Sequence, residues 1–298
     1  MSNSSEIIIM ETGLRDGLQV VEKYVSVEDR LIILNGFIEA GIKNIQVTSF
    51  VNPKKVPQMS ESEKLIKKLS LNNEVEYSAL VFNLKGVKRA LNSGINKIET
   101  SISVSEHYNQ KNLGLNNIQA MERLKKVIRF GLENKLNVRA GLQCVWGAPY
   151  DRNMDQDIII NNISTILQLG VNRISLCDTS GMATPKTISH LLESIYKHFP
   201  KIKLCLHLHN TYGFGLKNLC SALVGFGVKE FDTSLGGIGG TPFIKNSKGN
   251  IATEDTVSML DSMGYYTGID LKKVSKCSRY LEKIIGEHYF SGKLYKKN

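Results

Sequence analysis

The sequence predicts an α/β fold, a (β/α)₈ TIM barrel with a C-terminal helical extension. Eight short apolar runs, rich in β-branched residues, alternate with eight amphipathic stretches. The connections between them are short, as a closed parallel barrel requires. Gly41, Gly94, Gly170 and Gly227 each stand between the end of a helical pattern and the next run, where a helix cap favours glycine. An open doubly wound sheet usually has fewer units and a glycine-rich nucleotide turn after its first strand. Here that turn reads Thr12-Gly13-Leu14-Arg15-Asp16-Gly17.

The elements follow in order. Ile7 to Glu11 is the first run, and Ser26 is placed to cap a helix carrying Val27, Leu31, Leu34, Phe37 and Ile38. Gly41 ends that helix, and Ile42 to Ser49 is run two. Ser60 is expected to cap the second helix, ahead of run three at Val75 to Phe82. Leu84 to Leu91 is helical, Gly94 stops it, and Ile95 to Val104 is run four. A polar loop, a long helix from about Asn117 to Asn134, and run five at Val138 to Trp146 come next. The helix Asp155 to Leu169 precedes run six, Val171 to Asp178. Pro185 marks the start of the helix Thr184 to Phe199, which leads into run seven, Ile202 to Leu208. Leu216 to Phe226 is helical and Val228 to Ser234 is run eight; helices at Thr253 to Met263 and Leu271 to Ile285 follow a glycine-rich loop. No low-complexity linker or internal repeat divides the chain. Residues 1–270 therefore read as one barrel, and residues 271–298 as a helical extension packed on it.

Among 298 residues, 42 % are apolar and 22 % charged, which is ordinary globular usage and excludes a disordered chain. The net charge of +10 raises the question of anionic partners. Lysines are scattered in ones and twos, with no basic stripe, interleaved aromatics or nucleic-acid motif, so nucleic acid is not an expected partner. A small-molecule substrate is. Cys144, Cys177, Cys205, Cys220 and Cys277 are odd in number and unclustered, the pattern of reduced core residues. The Ile7-Ile8-Ile9 run is too short to span a bilayer, so no membrane partner and a cytoplasmic location are expected. A homo-oligomer is expected as well.

In a barrel of this kind chemistry gathers where strands end and βα-loops begin. His207 and His209 end run seven, and residues two apart on a strand face the same way. Paired imidazoles at a strand end favour metal binding over two histidines merely filling the top layer. Arg15 and Asp16 follow run one; they form either a surface ion pair or an oxygen ligand beside an oxyanion-stabilising guanidinium. The loop from Gly236 to Phe243, continuing to Gly249 and Asn250, lets backbone approach a ligand, and Asn250 can supply a neutral oxygen ligand. Asp178 ends run six, where it either caps a turn or serves the site. Gln46, Thr48 and Ser49 end run two and can hydrogen-bond substrate.

With these positions in hand, the sequence resembles the 3-hydroxy-3-methylglutaryl-CoA lyase family of metal-dependent barrel lyases and Claisen synthases. The likeness runs from about Glu11 to Asp270. It is carried by Glu11-Thr-Gly-Leu-Arg-Asp-Gly-Leu-Gln19, Thr48-Ser-Phe-Val-Asn-Pro53, Pro57-Gln-Met59, Ser105-Glu106, Trp146-Gly-Ala-Pro-Tyr150 and Asp178-Thr-Ser-Gly181. Further matches are His207-Leu-His209, Thr211-Tyr-Gly213 and Gly249-Asn-Ile-Ala-Thr-Glu-Asp255. The resemblance implies Mg²⁺ or Mn²⁺ held by Asp16, His207, His209 and Asn250, and a catalytic Arg15. Beside these, Asp178 and Thr241 are expected to be catalytic, and Gln19, Gln46, Thr48 and Ser49 to bind substrate. The implied reaction is a retro-Claisen cleavage of a 3-hydroxyacyl-CoA, with a CoA thioester as the small-molecule partner.

Three positions depart from the family pattern. Its mobile-loop cysteine is Thr241 here, and an aliphatic hydroxyl is a far weaker acid than a thiol of pKa ~8.5. Its strand-two glutamate is Gln46, and the aspartate after its second histidine is Asn210, as in the related Claisen synthases. These departures predict a rate unlike that of an ordinary family member and leave the substrate open. They motivate two competing readings, an aldolase or Claisen-type synthase on a 2-oxo acid and a non-catalytic metal-binding homologue. The last ranks lowest, because an unused site has no physical requirement to keep four ligands and the arginine.

Overall fold

The computed structural model describes residues 6–69, 74–152, 154–241 and 249–297. Eight parallel strands close into a barrel in sequence order: β1 (Ile8–Glu11), β2 (Asn44–Ser49), β3 (Glu76–Leu80), β4 (Lys97–Ser103), β5 (Asn137–Gln143), β6 (Arg173–Asp178), β7 (Lys203–Leu208) and β8 (Glu230–Thr233). Met10 pairs with both Asn44 and Asp232, so β1 closes the ring between β2 and β8. The strands are short and nearly continuously buried, as a parallel sheet covered by helices demands.

The outer layer holds α1 (Val27–Glu39), α2 (Ser62–Lys68), α3 (Leu84–Asn92), α4 (Glu106–Leu113), α5 (Asn117–Glu133), α6 (Gln156–Gln168), α7 (Pro185–His198), α8 (Gly215–Phe226), α9 (Thr253–Ser262) and α10 (Leu271–Ile285). Ser26 caps α1 by accepting from Asp29 N, and Thr184 caps α7 in a reciprocal arrangement with Thr187. The four glycines between helices and strands all adopt positive φ, as their positions predict. Helix α10 lies along α1, where Tyr280 donates to Asp29 Oδ1 at 2.7 Å and Lys273 Nζ to the Glu39 carbonyl at 2.9 Å.

Three local expectations are corrected. Ser60 does not cap α2; it closes a 3₁₀ turn over Pro57–Met59, and Glu61 precedes the helix. The stretch after β4 is helical rather than a loop, because Ser105 accepts from Tyr108 N and starts α4. Strand β5 stops at Gln143, three residues before Trp146. There Cys144 takes φ +60° and donates its N–H to Thr179 Oγ1 at 3.0 Å, which breaks the strand's alternation. All five cysteines are free, with Cys144, Cys205 and Cys277 buried. No helix among the described residues is long and apolar enough to cross a membrane.

Candidate metal centre and active-site cavity

The loop after β1 is a single tight turn, Gly13–Gly17, in which Thr12 O accepts from Arg15 N, Asp16 N and, at longer range, Gly17 N. Such π-type turns recur at functional sites because they re-aim side chains. This one turns the Asp16 carboxylate towards the end of β7. His207 and His209, on the same face of that strand, bring their Nε2 atoms within 3.2 Å of each other. Asp16 Oδ2 lies 3.8 Å from His207 Nε2 and 4.0 Å from His209 Nε2. One ligand atom from each of the three residues falls within 4.8 Å of the others, and all three residues are buried.

Two further observations fit this group to a hard divalent cation. His207 Nδ1 stands 3.1 Å from Asp232 Oδ2. An ionised carboxylate only accepts, so Nδ1 carries the hydrogen, which leaves Nε2 as the nitrogen that a metal ion can take. Asn250 directs its Nδ2 to Asp16 Oδ2 at 2.8 Å and to Ile238 O at 3.1 Å, while its buried Oδ1 has no hydrogen-bond partner. That oxygen is a ready neutral ligand. Asn250 pairs its backbone with His209, so both residues belong to one local unit. Burial and then the neighbouring His207 lower the His209 pKa to about 4, which keeps its ring neutral and able to ligate. Burial alone works to raise the Asp16 pKa, but Arg15 and the two imidazoles outweigh it and hold the carboxyl below its ordinary value.

Beneath the imidazoles the barrel interior is polar. Arg139 from β5 grips Asp232 with both Nη atoms, at 2.7 and 2.9 Å, and donates to Glu99 through Nε at 2.8 Å. Ser78 completes the set by donating to Glu99 Oε1 at 2.7 Å. Burial penalises the Asp232 charge, but Arg139 and His207 more than compensate, and the carboxyl sits well below the usual carboxylate range.

A cavity of about 650 Å³ opens over these groups. Arg15, Asp16, Gln19, Ser49, Thr241 and both histidines line it. Arg15 Nη1 donates to Asp16 Oδ1 and its Nε to Gln46 Oε1, so the guanidinium is tied on both sides beside the Asp16 carboxylate. Gln19 donates to Asp16 Oδ1 and to the Gly240 carbonyl, both at 3.0 Å, fastening the glycine-rich loop to the candidate ligand Asp16. Gly239 has φ +139°, and a Cβ there would collide with Asn250 Nδ2, so only glycine allows this approach. Pro242, Phe243 and the rest of residues 242–248 lie outside the described residues.

A family profile described as HMGL-like matches residues 6–281. The chain belongs to the HMGL-like family, that of the hydroxymethylglutaryl-CoA lyases. A hydroxymethylglutaryl-CoA lyase of Bacillus subtilis is 34 % identical over 287 residues, covering 96 % of each chain. A 3-hydroxy-3-isohexenylglutaryl-CoA/hydroxymethylglutaryl-CoA lyase of Pseudomonas aeruginosa is 32 % identical, covering 96 % of this chain and 95 % of its own. The solved structure of an HMG-CoA lyase from A. baumannii with coenzyme A and 3-methylmalate superposes with a TM-score of 0.93 at 30 % identity, covering 99 % of this chain and 96 % of that one.

Within this family frame the remaining predicted residues divide. Ser49 lines the cavity, whereas Thr48 does not: its hydroxyl is buried against Ser62 Oγ at 2.6 Å and Met59 Sδ at 3.4 Å. The cause is a register shift between Gln46 and Thr48, which resets the strand's alternation. Gln46 is fully buried and contacts Arg15 rather than the cavity. Asp178 accepts from Ala183 N at 3.1 Å and so holds the turn after β6; its Oδ2 has no hydrogen-bond partner, and burial raises its pKa to about 7. Asn210 Oδ1 accepts from Gly215 N at 3.0 Å, at the start of α8. Sequence reasoning missed Arg139, Glu99 and Asp232, and also Tyr108, Lys111 and Arg123 along the cavity. A charged residue inside a barrel strand was the one available signal for the first three.

Proposed function

We propose that the chain is a divalent-metal-dependent carbon–carbon lyase that cleaves a 3-hydroxyacyl-CoA, with 3-hydroxy-3-methylglutaryl-CoA as the first substrate to test. The observation that carries this reading is the convergence of Asp16, His207 and His209, with Arg15 alongside, at one wall of a substrate-sized cavity. Mg²⁺ or Mn²⁺ suits the donor set of carboxylate, amide oxygen and two imidazoles, held by Asp16, Asn250, His207 and His209. Bound there, such an ion supplies Lewis-acid polarisation of the substrate's oxygens and lowers the pKa of its 3-hydroxyl.

The chain's own residues then divide the work. Asp232 fixes the ring of His207, and Gln19 holds Asp16 against the loop. Arg15 is fixed by Gln46 and Asp16, so its guanidinium is preorganised to steady the negative charge that develops on the thioester oxygen as the C2–C3 bond breaks. Ser49 contacts the acyl part, and Asp178 shapes the β6 turn that carries Thr179 into the cavity wall. Lys55, Lys111 and Arg123 line the same cavity and favour a phosphate-bearing carrier such as CoA.

Incubation with 3-hydroxy-3-methylglutaryl-CoA and Mg²⁺ or Mn²⁺ is expected to release acetyl-CoA and acetoacetate in equal amounts. No release from this thioester or from longer 3-hydroxy-3-alkylglutaryl thioesters would reject the reading.

A further inference from the structure

The family's loop acid is absent: Thr241 occupies its place, and its aliphatic hydroxyl is a far weaker acid than a thiol. Cleavage of the C2–C3 bond leaves the electron pair on C2 as an enolate, which must still gain a proton. Some group in the cavity has to supply it. Cys177 lines the cavity, but its thiol lies against Ser175 Oγ, and Asp178 is not among the cavity-lining residues and holds the β6 turn through Ala183 N.

Tyr108 answers the need. It comes from α4, the helix that the sequence reads as a loop, and its ring is 6 % exposed at the cavity wall. Its hydroxyl lies 3.0 Å from Thr241 Oγ1, one residue beyond Gly240, whose carbonyl Gln19 ties to Asp16. The phenol is thus held beside the loop position where the family keeps its acid.

We propose that Tyr108 is the catalytic acid that protonates C2 of the enolate, with Thr241 as the residue that positions it. The inference rests on the lyase reading given above. In the step, the Tyr108 O–H bond breaks and the C2–H bond forms, giving the acyl-CoA product and a phenolate. Thr241 donates its hydroxyl hydrogen to that phenolate oxygen and stabilises it. The proton released from the substrate's 3-hydroxyl reaches the phenolate through solvent and restores Tyr108, so no net proton is consumed. A phenol is a much stronger acid than a thioester α-carbon, so the transfer runs downhill. Burial raises the Tyr108 pKa further, which keeps the acid protonated throughout the neutral range.

The test compares wild type, Tyr108→Phe, Thr241→Val and the double variant Tyr108→Phe/Thr241→Cys on 3-hydroxy-3-methylglutaryl-CoA with Mn²⁺. Tyr108→Phe is expected to lower kcat by ~10²-fold or more, with KM and Mn²⁺ affinity within about twofold of wild type. Thr241→Val, which retains Tyr108, is expected to lower kcat by a smaller factor of roughly ten. The double variant is expected to recover most of the lost kcat, because a thiol then stands at the loop position; a merely structural tyrosine would show no such recovery. A Tyr108→Phe enzyme with wild-type kcat, a loss that Thr241→Cys leaves unrelieved, or a Thr241→Val enzyme with unchanged kcat would each overturn the proposal. If the wild type itself releases no acetyl-CoA, the lyase reading falls and this inference with it. A wild type that turns over while Tyr108→Phe matches it removes this inference alone.

Discussion

His207 Nδ1 lies 3.1 Å from Asp232 Oδ2, so a carboxylate on β8 sets the tautomer of an imidazole on β7. The same carboxylate is gripped by Arg139 from β5, which is 2 % exposed. The candidate metal centre is therefore oriented from below by a buried ionic network that spans the barrel.

Asp232→Asn is expected to damage the centre without touching a ligand. An amide can turn its NH₂ towards His207 Nδ1, which moves the ring hydrogen to Nε2 and blocks ligation. Mn²⁺ affinity should fall by about 10–100-fold. Stability should fall by about 3 kcal/mol, because Arg139 loses its bidentate partner in a buried site. Calorimetric Mn²⁺ titration and urea unfolding measure the two effects; unchanged Mn²⁺ affinity would contradict the tautomer argument.

Binding of the ion should stabilise the fold by mass action. At an Mn²⁺ concentration 100 times its dissociation constant the gain is about 2.7 kcal/mol, and EDTA should reverse it. Asp16→Ala and His209→Ala should each abolish the rise in Tm. An equal rise in Asp16→Ala would place the ion elsewhere.

Glu11 carries a different pH signature. Burial pushes its pKa from 4.5 up to about 8, although Thr253 and the N–H groups of Gly13 and Leu235 hydrogen-bond to it. Between those two values the folded chain binds a proton that the unfolded chain has released, so stability falls with rising pH. The contribution is fully present below about pH 4.5 and is lost as pH climbs through about 8. Thermal melts in EDTA from pH 5 to 9 should show this decline in the wild type and a flatter curve in Glu11→Gln. An equally steep decline in the variant would assign the effect to other groups.

Much of the barrel was legible because its signals are local. The alternation of β-branched runs with helical periodicity, and glycines such as Gly41 and Gly170 at helix ends, depend only on neighbouring residues. His207 and His209 were legible as a pair for the same reason: the two-residue period of a strand fixes their common face. Ser105 capping α4 was open to the same reasoning, yet the polar composition of Glu106–Leu113 concealed a helix with few apolar residues.

The sequence by itself determined the barrel's order of elements, the paired imidazoles, and the motif set that links this chain to the lyase family. The resemblance already implied that Asp16 meets those imidazoles; only the tertiary structure decided that Thr48 turns away while Ser49 faces the cavity, and that Tyr108 reaches Thr241. Those relationships join residues far apart along the chain, and closure of the ring brings them together. Local propensity carries no information about which side chains a closed barrel will place opposite one another.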